Sequence, residues 1–274
     1  MSSVPKLPLL IEPEQLQPYL TDPNVLIVDL CDSARYATGH IPGAVHLDYA
    51  NLIRAKPPAM GLMPKETRLS AVLSRIGLTP ERHVVAYDAE GNGRASRLLW
   101  TLTVLGHESL SLLNGGFQAW DAADGLLQAQ SPKPSASAYQ ARLTNPDAIA
   151  DKDYILARFC QPDVVLLDTR TTAEYLGLDK RAARGGHIPG AVNLTWTDAI
   201  DPQRQNRFQP DPVLRKLLES RGATPDQEII VYCQTHHRSS HTYWVLRYLG
   251  YPRVRGYVGA WSEWGNDPKL PIET

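Results

Sequence analysis

Side chains able to do covalent chemistry are scarce in this 274-residue chain, which has only three cysteines: Cys31, Cys160 and Cys233. One of them is unusually placed. Cys233 stands where the apolar run EIIVY (Glu228–Tyr232) gives way to the polar string QTHHRSS. Such a spacing predicts a strand that ends, a short loop, and a helix that begins. A thiol reacts as its thiolate, and an ordinary cysteine titrates near roughly 8.5, so a reactive site must favour the charged form. A strand-to-helix loop can do so, because its backbone N–H groups can curl around the sulfur and the helix N-terminus adds positive potential. Arg238 contributes a permanent charge, and His236 and His237 contribute more when protonated. Ser239 and Ser240 suit the first positions of the helix. Cys233 and Arg238 are therefore the candidate catalytic pair, and Gln234, Thr235, His236 and His237 are candidates for contact with an anionic substrate. Cysteine is also a common small apolar core residue, but Gln, Thr, His, His and Arg do not make a core sequence.

The other two cysteines carry weaker signals. Cys31 follows VLIVDL, and Cys160 closes ILARFC, which predicts a helix. Both are expected to be buried or incidental thiols. An odd cysteine count without CxxC spacing argues against a disulfide framework and a cysteine zinc site. It fits a reduced, cytoplasmic chain. A formal net charge of −1 leaves no basic footprint for a nucleic-acid partner. No run of about eighteen apolar residues calls for a membrane span, and the start MSSVPKLPLLIEPEQ has no charged, then apolar, leader pattern.

The elements that must hold Cys233 occur twice. VLIVDLCDSARYATGHIPGAVHLDY (25–49) returns as VVLLDTRTTAEYLGLDKRAARGGHIPGAVNLTW (164–196), with HIPGAV identical. HVVAYDAEGNGRASRLLWTLTVLGH (83–107) returns as EIIVYCQTHHRSSHTYWVLRYLGY (228–251), and NGGFQAW is answered by RGYVGAW. Three blocks in one order mark a duplicated domain, not a short solenoid repeat. Ala129–Tyr139, rich in Ser, Pro and Ala, reads as the linker. The expected domains are residues 1–130 and 140–274. In each, short apolar runs ending in a polar or acidic residue fit strands buried on both faces of a mainly parallel sheet. Amphipathic stretches such as Pro212–Gly222 fit helices. The pattern predicts an α/β layered fold, with ligands beyond the carboxyl ends of the strands. Asp88 stands in the first copy where Cys233 stands in the second. A carboxylate is no soft nucleophile, so chemistry is expected in residues 140–274 alone. HIPGAV persists in both copies, so His40 and His187 read as structural, with a Pro-Gly turn.

The doubled HIPGA element, the acidic strand ends, the inactive first copy and the CQTHHRS loop together resemble the rhodanese family, in its tandem bacterial form, over nearly the whole chain. The resemblance implies two rhodanese-like domains. It also implies sulfur transfer from thiosulfate through a persulfide on Cys233 to cyanide or another thiophilic acceptor, with no cofactor or metal and a monomer as the working unit. Two departures from the animal pattern stand out. Thr235 takes the place of a lysine two residues after the cysteine, and Glu174 takes the place of an arginine just before YLG. Positive charge for the donor is then sought in Arg238, or in Arg181 and Arg184 of DKRAARGGH, which otherwise read as an exposed, solvated loop. Trp196, answering Tyr49, either walls the pocket or packs.

Three other readings compete. A 3-mercaptopyruvate sulfurtransferase has smaller residues after its cysteine than QTHHR. A cysteine phosphatase has five residues between Cys and Arg, against four here. A non-catalytic binding module does not require Cys233.

Overall fold

The structure, a computed structural model, describes residues 5–274, so the first four residues of the segment read for a leader lie outside the described residues. The apolar runs become strands. In chain order these are β1 (Leu10–Ile11), β2 (Val25–Asp29), β3 (Val45–His46), β4 (Arg54–Lys56), β5 (Ala59–Leu62), β6 (His83–Tyr87), β7 (Leu110–Leu113), β8 (Ile149–Ala150), β9 (Val164–Asp168), β10 (Val192–Asn193), β11 (Ile200–Asp201), β12 (Arg207–Phe208), β13 (Glu228–Tyr232) and β14 (Val254–Tyr257). The helices are α1 (Pro13–Leu16), α2 (Ser33–Thr38), α3 (Glu66–Arg75), α4 (Gly93–Val104), α5 (Gly116–Ala122), α6 (Lys152–Arg158), α7 (Thr172–Tyr175), α8 (Asp211–Glu219), α9 (Arg238–Tyr248) and α10 (Ala260–Trp264).

Two five-stranded sheets result, ordered β1-β7-β6-β2-β3 and β10-β9-β13-β14-β8. Read from its other edge, the second has the order of the first, so the duplication seen in the sequence is a duplication of topology. Their strands pair in parallel. Central strands β2, β6 and β13 are buried at every position, which is why their inner positions are apolar in succession instead of alternating. The first core gathers Ile27, Val85, Leu113, Phe117 and Trp120, and the second Leu166, Ile230, Tyr257, Trp261 and Trp264.

The compact units are not simple halves of the chain. The first comprises 1–52, 64–145 and 201–208, and the second 53–63, 146–200 and 209–274. Each unit thus takes in a short segment from the stretch assigned by sequence to the other. The β4–β5 hairpin, antiparallel, joins the second unit, where the Met60 N–H donates to Ser262 Oγ at 3.1 Å. Segment 201–208 joins the first, where Arg207 pairs with Glu12 at 3.0 Å and the Phe208 N–H donates to Asn114 Oδ1 at 2.8 Å. Contacts this far apart in sequence leave no local pattern.

The HIPGAV segments do the same packing job in both units. His40 stacks on Tyr36 with ring centroids 3.9 Å apart, and His187 stacks on Tyr175 at 3.7 Å. Each Nδ1 lies 3.0 Å from the carbonyl of its tyrosine. The tyrosines that end the central strands reach across to the motif. The Ile41 N–H donates to the Tyr87 hydroxyl, and the Ile188 N–H donates to the Tyr232 hydroxyl, both at 3.2 Å. Gly43 and Gly190 sit at φ +79° and +73°, a region glycine enters without Cβ strain. One local expectation fails. Cys160 lies two residues beyond the end of α6, exposed and at φ +65°, and not on a helix. The chain turns there ahead of Pro162, which disfavours helical conformation at the residue before it.

Candidate active site

Cys233 follows the last residue of β13, and Arg238 opens α9. The intervening loop is pinned by the start of α10. The Trp261 N–H donates to the Cys233 carbonyl at 2.9 Å, and the Ser262 N–H donates to the Gln234 carbonyl at 3.0 Å. His236 takes φ +56°, which reverses the chain and brings the first turn of α9 back over the sulfur. The Ser239 hydroxyl lies 3.5 Å from Cys233 Sγ, and His236 Nδ1 lies 2.7 Å from that same hydroxyl. The Arg238 charge acts on the Cys233 sulfur from the first position of α9. Cys233 is 1 % exposed.

Opposing effects act on the thiol. Burial pushes its pKa up. The Arg238 charge, the hydroxyl and amide of Ser239 and the amide of Thr235 pull it down, and together they win, leaving it below its usual value. Cys31 shows the opposite balance, with burial and the neighbouring Asp29 carboxylate both pushing its thiol far up. The environment that favours a thiolate at Cys233 is absent at Cys31.

Glu174 is the residue that sequence reasoning undervalued. It appears there as a lost arginine. In the fold its side chain is fully buried, and its two oxygens bind the two terminal nitrogens of Arg238 at 2.6 and 2.8 Å. The Thr171 N–H and hydroxyl donate to Oε2 at 3.1 and 3.0 Å, completing a capping box on α7. Burial pushes the Glu174 carboxyl up, but the Arg238 bonds and charge and the Thr171 bonds hold it at about 2. The T-x-x-E spacing was a readable helix-start signature. The partner 64 residues away was not.

The remaining candidates divide. Arg181 is brought to the loop: its carbonyl accepts from Gln234 Nε2 at 2.8 Å, and its Nε lies 3.6 Å from Glu174 Oε1 and 3.1 Å from Asp179. Arg184 is not. Its guanidinium is committed to the carbonyls of Trp264, Asp267 and Leu270, where it ties down the C-terminal segment. Trp196 lies edge-on to His241 at 5.3 Å, packed against α9. Burial depresses the pKa of His241 to about 3, so this ring is neutral at ordinary pH. Thr235 contributes its amide. His236 is buried behind Ser239, and His237 stands at the N-cap position of α9 without a side-chain capping bond.

The first unit shows what such a loop does with negative charge. Asp88 follows β6 as Cys233 follows β13, and its carbonyl accepts the Phe117 N–H at 2.9 Å, as that of Cys233 accepts Trp261. Its fully buried carboxylate takes four backbone N–H groups: Glu90 and Asn92 on Oδ1 at 2.7 and 2.8 Å, Arg94 and Ala95 on Oδ2 at 2.8 and 2.9 Å. The loop is a ring of donors built around an acceptor group, which in this copy is supplied by the chain itself; the four amides pull the Asp88 carboxyl down, but burial outweighs them and leaves it above its usual value. Cys31 and Arg170 also correspond, since the amide of each donates to the aspartate ending the strand, at 2.7 and 3.0 Å.

A duplicated parallel α/β sheet with a strand-exit loop of this kind defines a class. The chain belongs to the rhodanese family: it matches the rhodanese-like domain over residues 12–123 and again over 151–267. It is 45 % identical over 273 residues to a thiosulfate sulfurtransferase of Azotobacter vinelandii, and 44 % identical over 273 residues to one of Pseudomonas aeruginosa, each alignment covering 100 % of both chains. Its fold is similar to that of the anaerobic ergothioneine biosynthesis enzyme from Chlorobium limicola, with a TM-score of 0.87 at 24 % identity over 100 % of this chain and 72 % of that one. No helix among the described residues is long and apolar enough to cross a membrane.

Proposed function

We propose that the chain is a thiosulfate sulfurtransferase in which Cys233 is the nucleophile. The observation that carries this reading is a cysteine at the exit of β13 with the Ser239 hydroxyl 3.5 Å from its sulfur and Arg238 opening the next helix, surroundings that favour its thiolate against its own burial. In the first step the Cys233 thiolate attacks the outer sulfur of thiosulfate. The S–S bond of the donor breaks, its electron pair leaves on sulfite, and Cys233 becomes a persulfide anion. In the second step a thiophile such as cyanide attacks the outer persulfide sulfur and leaves as thiocyanate, and the Cys233 thiolate returns. Splitting one transfer into two is the advantage of a covalent intermediate. Charge is conserved in each step, and it stays on sulfur or oxygen atoms next to the donor ring. Fixed N–H groups and Arg238 stabilise it there without reorganising. The carboxylate already bound by the matching ring in the first unit supports that use of the loop. Gln234 and Arg181 are the remaining candidates for contact with the donor, at the edge of the loop. The three cysteines form no disulfide, and an odd number of free thiols suits a reducing compartment such as the cytoplasm.

The test is intact mass. Thiosulfate is expected to add one sulfur to the wild-type protein, and cyanide to remove it. Cys233→Ala is expected to lose both, while Cys31→Ala and Cys160→Ala keep them. Turnover in Cys233→Ala, or phosphatase activity without sulfur transfer, counts against the assignment. Faster turnover of mercaptopyruvate than of thiosulfate reassigns the donor only.

A further inference from the structure

The two-step transfer gives no part to Glu174, yet Glu174 is the most firmly held charge beside the loop. Each of its oxygens takes one terminal nitrogen of Arg238. A two-point pair of this kind fixes the plane of a guanidinium as well as its position. Glu174 is itself anchored by Thr171 at the start of α7, and has no exposure to solvent. Arg238, gripped from this side, opens α9, whose next residue, Ser239, puts its hydroxyl 3.5 Å from Cys233 Sγ, and its charge acts on that sulfur. The chain of contacts therefore runs from a capped helix through a carboxylate to a guanidinium, and from there the charge reaches the sulfur. It has a second consequence. The fork of Arg238, which elsewhere recognises carboxylates and oxyanions at two points, is already occupied by Glu174.

We propose that Glu174 is a positioning residue for sulfur transfer: it holds Arg238 against the Cys233 sulfur and keeps the guanidinium fork away from the donor, which is left to the loop amides. The inference rests on Cys233 being the nucleophile. It differs from two plainer roles for Glu174, which are capping α7 and merely offsetting the charge of Arg238. An offsetting carboxylate, once removed, frees a cation and lowers the thiol pKa. A positioning carboxylate, once removed, lets the cation leave the sulfur and raises it.

The pH profile of Cys233 alkylation by iodoacetamide separates these roles and needs no sulfur donor. It is measured on the full chain with Cys31 and Cys160 replaced by alanine. His236 and His237 of the same loop are present in every variant, so their contribution is common to all. In Glu174→Gln the midpoint is expected to rise by about one pH unit. Persulfide formation from thiosulfate at neutral pH is expected to slow ~10-fold, in kcat more than in KM, because a smaller fraction of the sulfur is thiolate. Glu174→Asp keeps the charge and is expected to recover part of both effects. Should the glutamine variant fail to fold, the aspartate variant decides by the sign of its shift, upward supporting the proposal. Thr171→Ala breaks the same helix cap and removes one bond to Glu174 but leaves both bonds to Arg238, so it is expected to lower Tm and to move the midpoint much less than Glu174→Gln does. A midpoint that is unchanged or lowered in Glu174→Gln, or moved equally by Thr171→Ala, overturns the proposal. If wild-type protein forms no persulfide while Glu174→Gln still raises the midpoint, the sulfur-transfer reading fails and the positioning role stands.

Discussion

At Cys233, burial and charge pull one sulfur in opposite directions, and the outcome depends on Arg238. Burial drives a thiol up, and at Cys31 the Asp29 carboxylate adds to it. At Cys233 the largest counterweight is the Arg238 charge, followed by the Ser239 hydroxyl and the backbone donors. The sign for Arg238→Ala follows. The charge is lost, the burial remains, and the alkylation midpoint moves from below the ordinary thiol value to above it. Below that midpoint the rate of persulfide formation falls with the thiolate fraction. The loss of a fixed charge next to the transferred sulfur adds to this, so thiosulfate turnover at neutral pH is expected to drop by about 10²–10³. The pH dependence of single-turnover persulfide formation, followed by mass, checks both parts. A variant with unchanged midpoint and rate would mean that the amides alone hold the thiolate.

At the scale of elements, the loop depends on a hairpin that lies far from it in sequence. Gly61 of β5 sits against the backbone of Thr235, so that any side chain at Gly61 meets the Thr235 carbonyl and Cα. Thr235 supplies one of the amides that lower the Cys233 pKa. Gly61→Ala is therefore expected to displace the loop. Overpacking of this kind costs about 1–3 kcal/mol, enough to lower Tm by several degrees. Catalysis should suffer more than stability, because the ring of donors needs its geometry to within a fraction of an ångström. The expected result is a folded protein with at least ~10-fold lower kcat/KM for thiosulfate. Circular dichroism melts beside steady-state kinetics measure the two effects. Full activity in Gly61→Ala would show that the hairpin yields and the loop does not.

At the scale of the whole molecule the two units carry one design with different central groups. Asp88 fills its own ring of N–H donors, so in the first unit the carboxylate is a structural part. Asp88→Ala leaves up to four buried N–H groups unpaired, and each such group costs about 1–3 kcal/mol where water cannot replace the partner. A clear fall in Tm is expected, with a smaller fall for Asp88→Asn, which keeps acceptor capacity on one oxygen. Turnover per folded molecule is expected to stay near wild type at temperatures below the melt, because the nucleophile lies elsewhere. Differential scanning calorimetry with active-site titration by persulfide mass distinguishes lost molecules from slow ones. A well-folded Asp88→Ala protein with collapsed turnover would assign the first unit a direct part in the reaction.

The sequence by itself determined the duplication, the parallel α/β class, the strand runs such as Val25–Asp29 and Glu228–Tyr232, the start of a helix near Arg238 and the structural character of HIPGAV. Each is a local matter of periodicity, of turn chemistry or of one copy read against the other. It also singled out Cys233, because a polar string after a buried run is visible without a fold. Only the tertiary structure decided what surrounds that sulfur. Glu174 read as a lost charge until the fold carried it to Arg238, while Arg184 read as a free cation until the fold closed the C-terminal carbonyls around it. The exchange of segments 53–63 and 201–208 between units was likewise invisible. Charge is written in the sequence, but its partner is set by which surfaces the core brings together, and those pairings span tens to hundreds of residues with no period to betray them.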